Sequence, residues 1–177
     1  DTGIERILYD APAQVTLDTS LNDIHVPEVW TAINASNATV TGTGIRIAIL
    51  DSGIDYRLPD FGGCFGPGCR VVGGYDFVNS DSDPMDDHGH GTHVAGTAAG
   101  KGQVGSTLLY GVAPDATLYA YKVCNSSGTC TSSAVVAALG YATDPNRDSN
   151  TSDHVDVASL SLGGSGNPDD AMSLAVD

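Results

Sequence analysis

Apolar residues fall into short runs divided by long polar stretches, and the spacing within each run sets the element it predicts. Ile45-Arg46-Ile47-Ala48-Ile49-Leu50 is nearly unbroken and rich in β-branched side chains, the composition of a strand covered on both faces of a parallel sheet. Thr117 to Val123 and Val155 to Leu162 predict two further strands, and Arg70 to Gly73 a shorter one. His90 to about Ala99 predicts a helix stopped by Gly100 and Gly102. Ser132 stands where it would cap a second helix through Tyr141. Nearer the N-terminus, Ile4 to Tyr9 alternates as an edge strand would, and Pro27 is placed to open a short helix reaching Ile33. Residues 34–44, 125–131 and 143–153 are polar loops, and 56–88 show no sustained period. The order strand, helix, strand, helix, strand, with room for crossovers, predicts an α/β fold: a parallel sheet with helices on both faces.

The candidate chemistry lies where such sheets place it. Asp51 follows the first buried strand, at the carboxyl end where parallel sheets carry their sites. The predicted helix opens on His88-Gly89-His90-Gly91, and glycine costs about 1 kcal/mol against alanine inside a helix. Close approach to His90 is the reason to accept that cost. A carboxylate beside an imidazole is the pairing that makes histidine a general base; the plainer reading is a strand-end Asp capping a helix beside a structural histidine. Asp81, Asp83, Asp86 and Asp87 crowd one loop, which predicts either a shared calcium ion or a solvated acidic face.

Composition narrows the classes. A length of 177 residues suits one domain, and 22 acidic against 7 basic residues give a net charge of -15. That balance argues against a nucleic-acid partner, because phosphate binding depends on clustered Lys and Arg. No apolar run approaches the roughly 20 residues of a membrane span. Cys64 with Cys69 and Cys124 with Cys130 form two local pairs; in a secreted protein they predict loop-closing disulfides, and otherwise free thiols. Their spacing fits a zinc knuckle less well. Asn34, Asn37, Asn125 and Asn150 each begin a glycosylation sequon, which agrees with export as a glycoprotein.

Ala48-Ile49-Leu50-Asp51-Ser52-Gly53-Ile54 and His90-Gly91-Thr92-His93-Val94-Ala95-Gly96-Thr97 closely resemble the two N-terminal catalytic signatures of the subtilisin-like serine proteases, peptidase family S8. Gly111-Val112-Ala113-Pro114 and Ser161-Leu162-Gly163-Gly164 are similar to further landmarks, in the same order. The resemblance covers residues 20 to 170 and implies that family's three-layer fold. It implies that Asp51 orients His90, and that His90 is the base of an Asp-His-Ser triad acting on polypeptide. His93 would be structural and His88 a loop residue. Ser127, Gly128 and Thr129 would pair with substrate backbone, with Ser161, Leu162 and Gly163 as the opposite rail. Ser132 and Val135 would line a more distant pocket. Asp60 matches a carboxylate that often binds calcium in the family, although the loop after Gly100 lacks the asparagine-rich remainder of that site.

The family's nucleophile should sit in a Gly-Thr-Ser-Met-Ala-like string, followed by an oxyanion-hole asparagine, and neither occurs in these residues. Ser52, Ser106 and Ser161 do not stand in that context. The resemblance therefore implies residues 21–177 as an incomplete, N-terminal part of a catalytic domain, whose C-terminal remainder carries the serine. Residues 1–20 would be a prosegment remnant or an N-terminal extension. The implied enzyme is a secreted serine endopeptidase that needs no cofactor for catalysis and would hold, at most, structural Ca²⁺. The alternative is a non-catalytic peptide-binding module that keeps the substrate rails without the nucleophile.

Overall fold

The computed structural model describes residues 17–33, 37–104 and 106–163; the expected edge strand at Ile4 to Tyr9 lies outside them. Two short helices come first, α1 (Leu17–Asp23) and α2 (Val26–Thr31). Then follow β1 (Arg46–Asp51), β2 (Val71–Asp76), α3 (His90–Ala99), the hairpin β3 (Lys101–Val104) and β4 (Thr107–Tyr110), β5 (Thr117–Lys122), α4 (Ser132–Thr143) and β6 (Val157–Ser159). Four strands make one parallel sheet in the order β2-β5-β1-β6.

Side chains alternate across a strand, and β1 shows what that does here. Ile47 and Ile49 enter a cluster with Ala95 and Ala99 of α3, whereas Ala48 and Leu50 pack with Val135, Ala138 and Ala142 of α4. Both faces of the sheet are thus covered, which is why β1 is apolar almost throughout. The small residues of α3 bring its axis close to the sheet and seat its first turn beside the end of β1.

Some boundaries differ from the expectation. β2 extends to Asp76, since Gly73 to Asp76 pair with β5 despite their two glycines. The last strand is only Val157–Ser159, and Leu160 to Gly163 leave the sheet as an irregular segment. Thr131, and not Ser132, caps α4: its Oγ1 accepts from the Ala134 amide at 3.3 Å. α1 and the β3–β4 hairpin carry too little periodicity to be expected from the residues.

Candidate active site

Across the carboxyl ends of three adjacent strands, Asp76, Lys122 and Asp51 stand in register. Asp51 is held from both sides. Its carbonyl accepts from the amides of Val123 at 2.8 Å and Cys124 at 3.1 Å, and its Oδ1 accepts from the Ser52 amide at 2.7 Å. His90 Nδ1 lies 2.7 Å from Asp51 Oδ1 and 2.9 Å from Oδ2. An ionised carboxylate only accepts, so Nδ1 carries the proton and donates it. Nε2 is then left with its lone pair, the tautomer a general base needs. The Asp51 side chain is 3% exposed and that of His90 46%, so the acid is shielded while the imidazole meets solvent.

The start of α3 is built by a residue outside both motifs. Gly89 occupies the cap position and has no side chain to accept the orphan amides of the first turn. Asp86 supplies that acceptor. Its Oδ1 takes the amides of His88 at 3.0 Å and Gly89 at 2.9 Å, and its Oδ2 takes the amide of Thr92 at 2.9 Å together with the Thr92 hydroxyl. Ser52, itself buried, donates its hydroxyl to Asp86 Oδ1 at 2.9 Å and accepts from the Gly91 amide at 2.9 Å. The end of β1 and the start of α3 are thereby bolted together through Ser52 and Asp86.

Burial by itself would raise the Asp86 carboxyl, but the hydrogen bonds from Thr92, Gly89 and His88 outweigh it and hold the group below its ordinary value. A depressed folded value means that the carboxylate contributes fully above the unfolded carboxyl pKa of about 3.9, and that this contribution is lost as pH falls through the folded value. Asp86→Asn is expected to cost about 1–2 kcal/mol at neutral pH, as the loss of a helix cap does. Its urea midpoint should also fall less steeply than the wild type's as pH drops below about 4.

A cavity of about 400 Å³ opens over the pair, lined by Asp51, Ser52, His88 and His90, by Cys124, Ser127, Gly128 and Cys130 of the disulfide loop, and by Ser161, Leu162 and Gly163. Ser127 and Gly128 of one segment expected to hold substrate, and Ser161 to Gly163 of the other, thus border the same cavity as His90. Ser127 to Thr129, however, form a tight turn and not an extended segment. Asn125 Oδ1 accepts from the amides of Ser127 and Thr129, each at 3.0 Å, and the Asn125 carbonyl accepts from Gly128 at 2.9 Å. Those three amides are spent within the loop. Gly128 has φ +74, and a Cβ there would come within 3.1 Å of His88 Nε2, so His88 is a wall of the cleft. Disulfides join Cys64 to Cys69 and Cys124 to Cys130; the second closes the loop that carries the turn. Val135 is 1% exposed inside the α4 cluster and lines no open pocket, while Ser132 is exposed. His93 is exposed one turn after His90 and borders a second hollow with Ser159 and Ser161.

The acidic residues are dispersed. Asp81 Oδ1 accepts from the Asp83 amide at 2.9 Å, Asp83 Oδ1 accepts from the Tyr56 hydroxyl at 2.6 Å, Asp86 caps α3, and Asp87 pairs with Lys122 at 2.5 Å. Asp60 lies apart, beside the β3–β4 hairpin, in a hollow bordered by Lys101, whose ammonium pairs with Asp115. Among the described residues no three His, Cys, Asp or Glu side chains converge in a way that could hold a metal ion. The acidic run therefore does not fit a calcium site.

The subtilase family (Peptidase S8) matches residues 42–177, the stretch that holds Asp51, His90 and both rails. The chain belongs to this family. It is 34% identical to serine protease AprX of Bacillus subtilis (strain 168) over 92% of its own length and 34% of that protein's. It is 44% identical to the minor extracellular protease Vpr of the same organism, over 77% of the chain and 16% of that protein. A cold adapted subtilisin-like serine proteinase of known crystal structure superposes with a TM-score of 0.60 at 33% identity, covering 79% of this chain and 44% of that one. The chain thus spans less than half the length of these subtilases. Within the subtilase sheet, the parts played by Asp86, His88 and Lys122 emerge only from the fold. Asp86 leaves one signal in the sequence, an acidic residue three positions before the glycine that opens the helix.

Proposed function

We propose that this subtilase chain supplies the orienting acid, Asp51, and the general base, His90, of a secreted serine endopeptidase, with the nucleophilic serine and the oxyanion asparagine carried by the C-terminal remainder of the protease. The observation that carries this reading is the two-point contact of the Asp51 carboxylate with His90 Nδ1, at 2.7 and 2.9 Å, on the floor of a cleft walled by two peptide segments. His90 Nε2 takes the proton of the serine hydroxyl as its oxygen attacks the scissile carbonyl, and Asp51 stabilises the imidazolium that results. The same proton passes to the leaving amine as the peptide bond breaks. His90 then deprotonates water to hydrolyse the acyl-enzyme. Because the amides of Ser127 to Thr129 are spent in their turn, backbone pairing on that side falls to carbonyls and neighbouring residues. Among the described residues no helix is long and apolar enough to cross a membrane.

A fluorophosphonate probe on the full-length protein tests the reading. Labelling of a serine, lost in a His90→Ala variant, is the expected result. Absence of labelling in folded full-length protein would overturn it in favour of a peptide-binding module.

A further inference from the structure

Lys122 ends β5 and is 1% exposed. Burying an ammonium costs several kcal/mol unless its donors are matched, and here all three are. Nζ donates to the Ser52 carbonyl at 2.8 Å, to the Cys124 carbonyl at 3.0 Å and to Asp87 Oδ1 at 2.5 Å. Each acceptor belongs to a different segment, and two of them, Ser52 and Cys124, line the cleft. Ser52 follows Asp51; Asp87 stands three residues before His90; Cys124 opens the disulfide loop that carries Ser127 and Gly128. We propose that Lys122 is a positioning residue of the cleft, tying together the end of β1, the loop before α3 and the start of the disulfide loop, and offsetting the negative charge around the Asp51–His90 pair. This inference deepens the proteolytic reading above and rests on it for its effect on rate.

The charges around the pair fix the sign of the effect. His90 is faced by Asp51 from β1, by the His88 ring at 6.4 Å between centroids, by Asp86 under the first turn of α3, and by His93 one turn further along. Lys122 stands in register between Asp51 and Asp76 on the neighbouring strands, with Asp87 reaching in from the loop before α3. α4, on the opposite face of the sheet, carries no charged residue. Lys122 is therefore a cation set among three carboxylates, and removing it leaves His90 in a more negative surrounding that favours imidazolium. Removing Asp87 does the reverse.

The test uses the full-length protein with Lys122→Met, Asp87→Asn and the double variant, read by NMR titration of the His90 ring and by the pH profile of kcat/KM. Lys122→Met should move the His90 titration and the acid limb to higher pH and lower kcat/KM by about a hundredfold, the scale of a misplaced catalytic group. Asp87→Asn should move both to lower pH. The double variant should titrate near the wild type while kcat/KM stays low. If Lys122→Met does not fold, Asp87→Asn decides alone. Titrations unmoved from the wild type, with kcat/KM within twofold, overturn the proposal. Since the NMR titration needs no turnover, a protein that failed to label with fluorophosphonate would defeat the proteolytic reading and still report on Lys122.

Discussion

Replacing His90 by Ala in the full-length protein is expected to lower kcat by about 10⁶-fold with KM little changed, the scale of triad deletions in subtilisin. Among the described residues no second base stands ready beside Asp51. His88 is held against Gly128, with its ring 6.4 Å from that of His90, while the Asp51 carboxylate gives both its oxygens to His90. Asp51→Asn should cost less, about 10⁴-fold, because an amide leaves the ring in place but favours the wrong tautomer. Steady-state hydrolysis of a peptide substrate, with circular dichroism to show an unchanged fold, measures both. A His90→Ala enzyme retaining a tenth of wild-type kcat would place the base elsewhere.

The second large effect is expected at Gly91. A Cβ there would lie 2.2 Å from the Gly53 carbonyl oxygen and 3.1 Å from Asp51 Cβ; the second neighbour ends β1 and the first is backbone just beyond it. Neither can yield as a flexible side chain would. Gly91→Ala should therefore push the first turn of α3 away from β1, costing about 3 kcal/mol as overpacking does. The displaced turn would also lengthen the Asp51–His90 contact and strain the Gly91 amide bond to Ser52. Chemical denaturation reads the stability loss, and kcat reads the misplacement. The control is Gly96→Ala, where a Cβ meets nothing within 4 Å and where alanine favours the helix. A Gly91→Ala protein as stable as the wild type would show that α3 is not seated where the close approach puts it.

Much of the framework is legible in the residues because burial leaves a period. The unbroken run before Asp51 marks a strand covered on both faces, and the glycines around His90 mark a helix start that something approaches. That something is the Gly53 carbonyl just beyond β1, as well as any ligand in the cleft. The acidic loop resists such reading. Asp81, Asp83, Asp86 and Asp87 look alike in sequence, yet one caps α3 and another pairs with a buried lysine. Only their places in the fold separate them.

The local motifs, the order of the sheet strands with α3 and α4, and the closeness of the two cysteine pairs were legible in the sequence alone, since each depends on residues close together in the chain or on a repeating period. Tertiary structure decided the rest: that Val135 faces the core, that Asp86 and Ser52 seat the helix, and that Lys122 reaches three separate segments at once. The physical reason is that hydrogen bonds and burial are settled by which groups meet. The Ser52–Asp86 and Lys122–Ser52 bonds join residues 34 and 70 apart in the chain, separations over which no sequence period carries information.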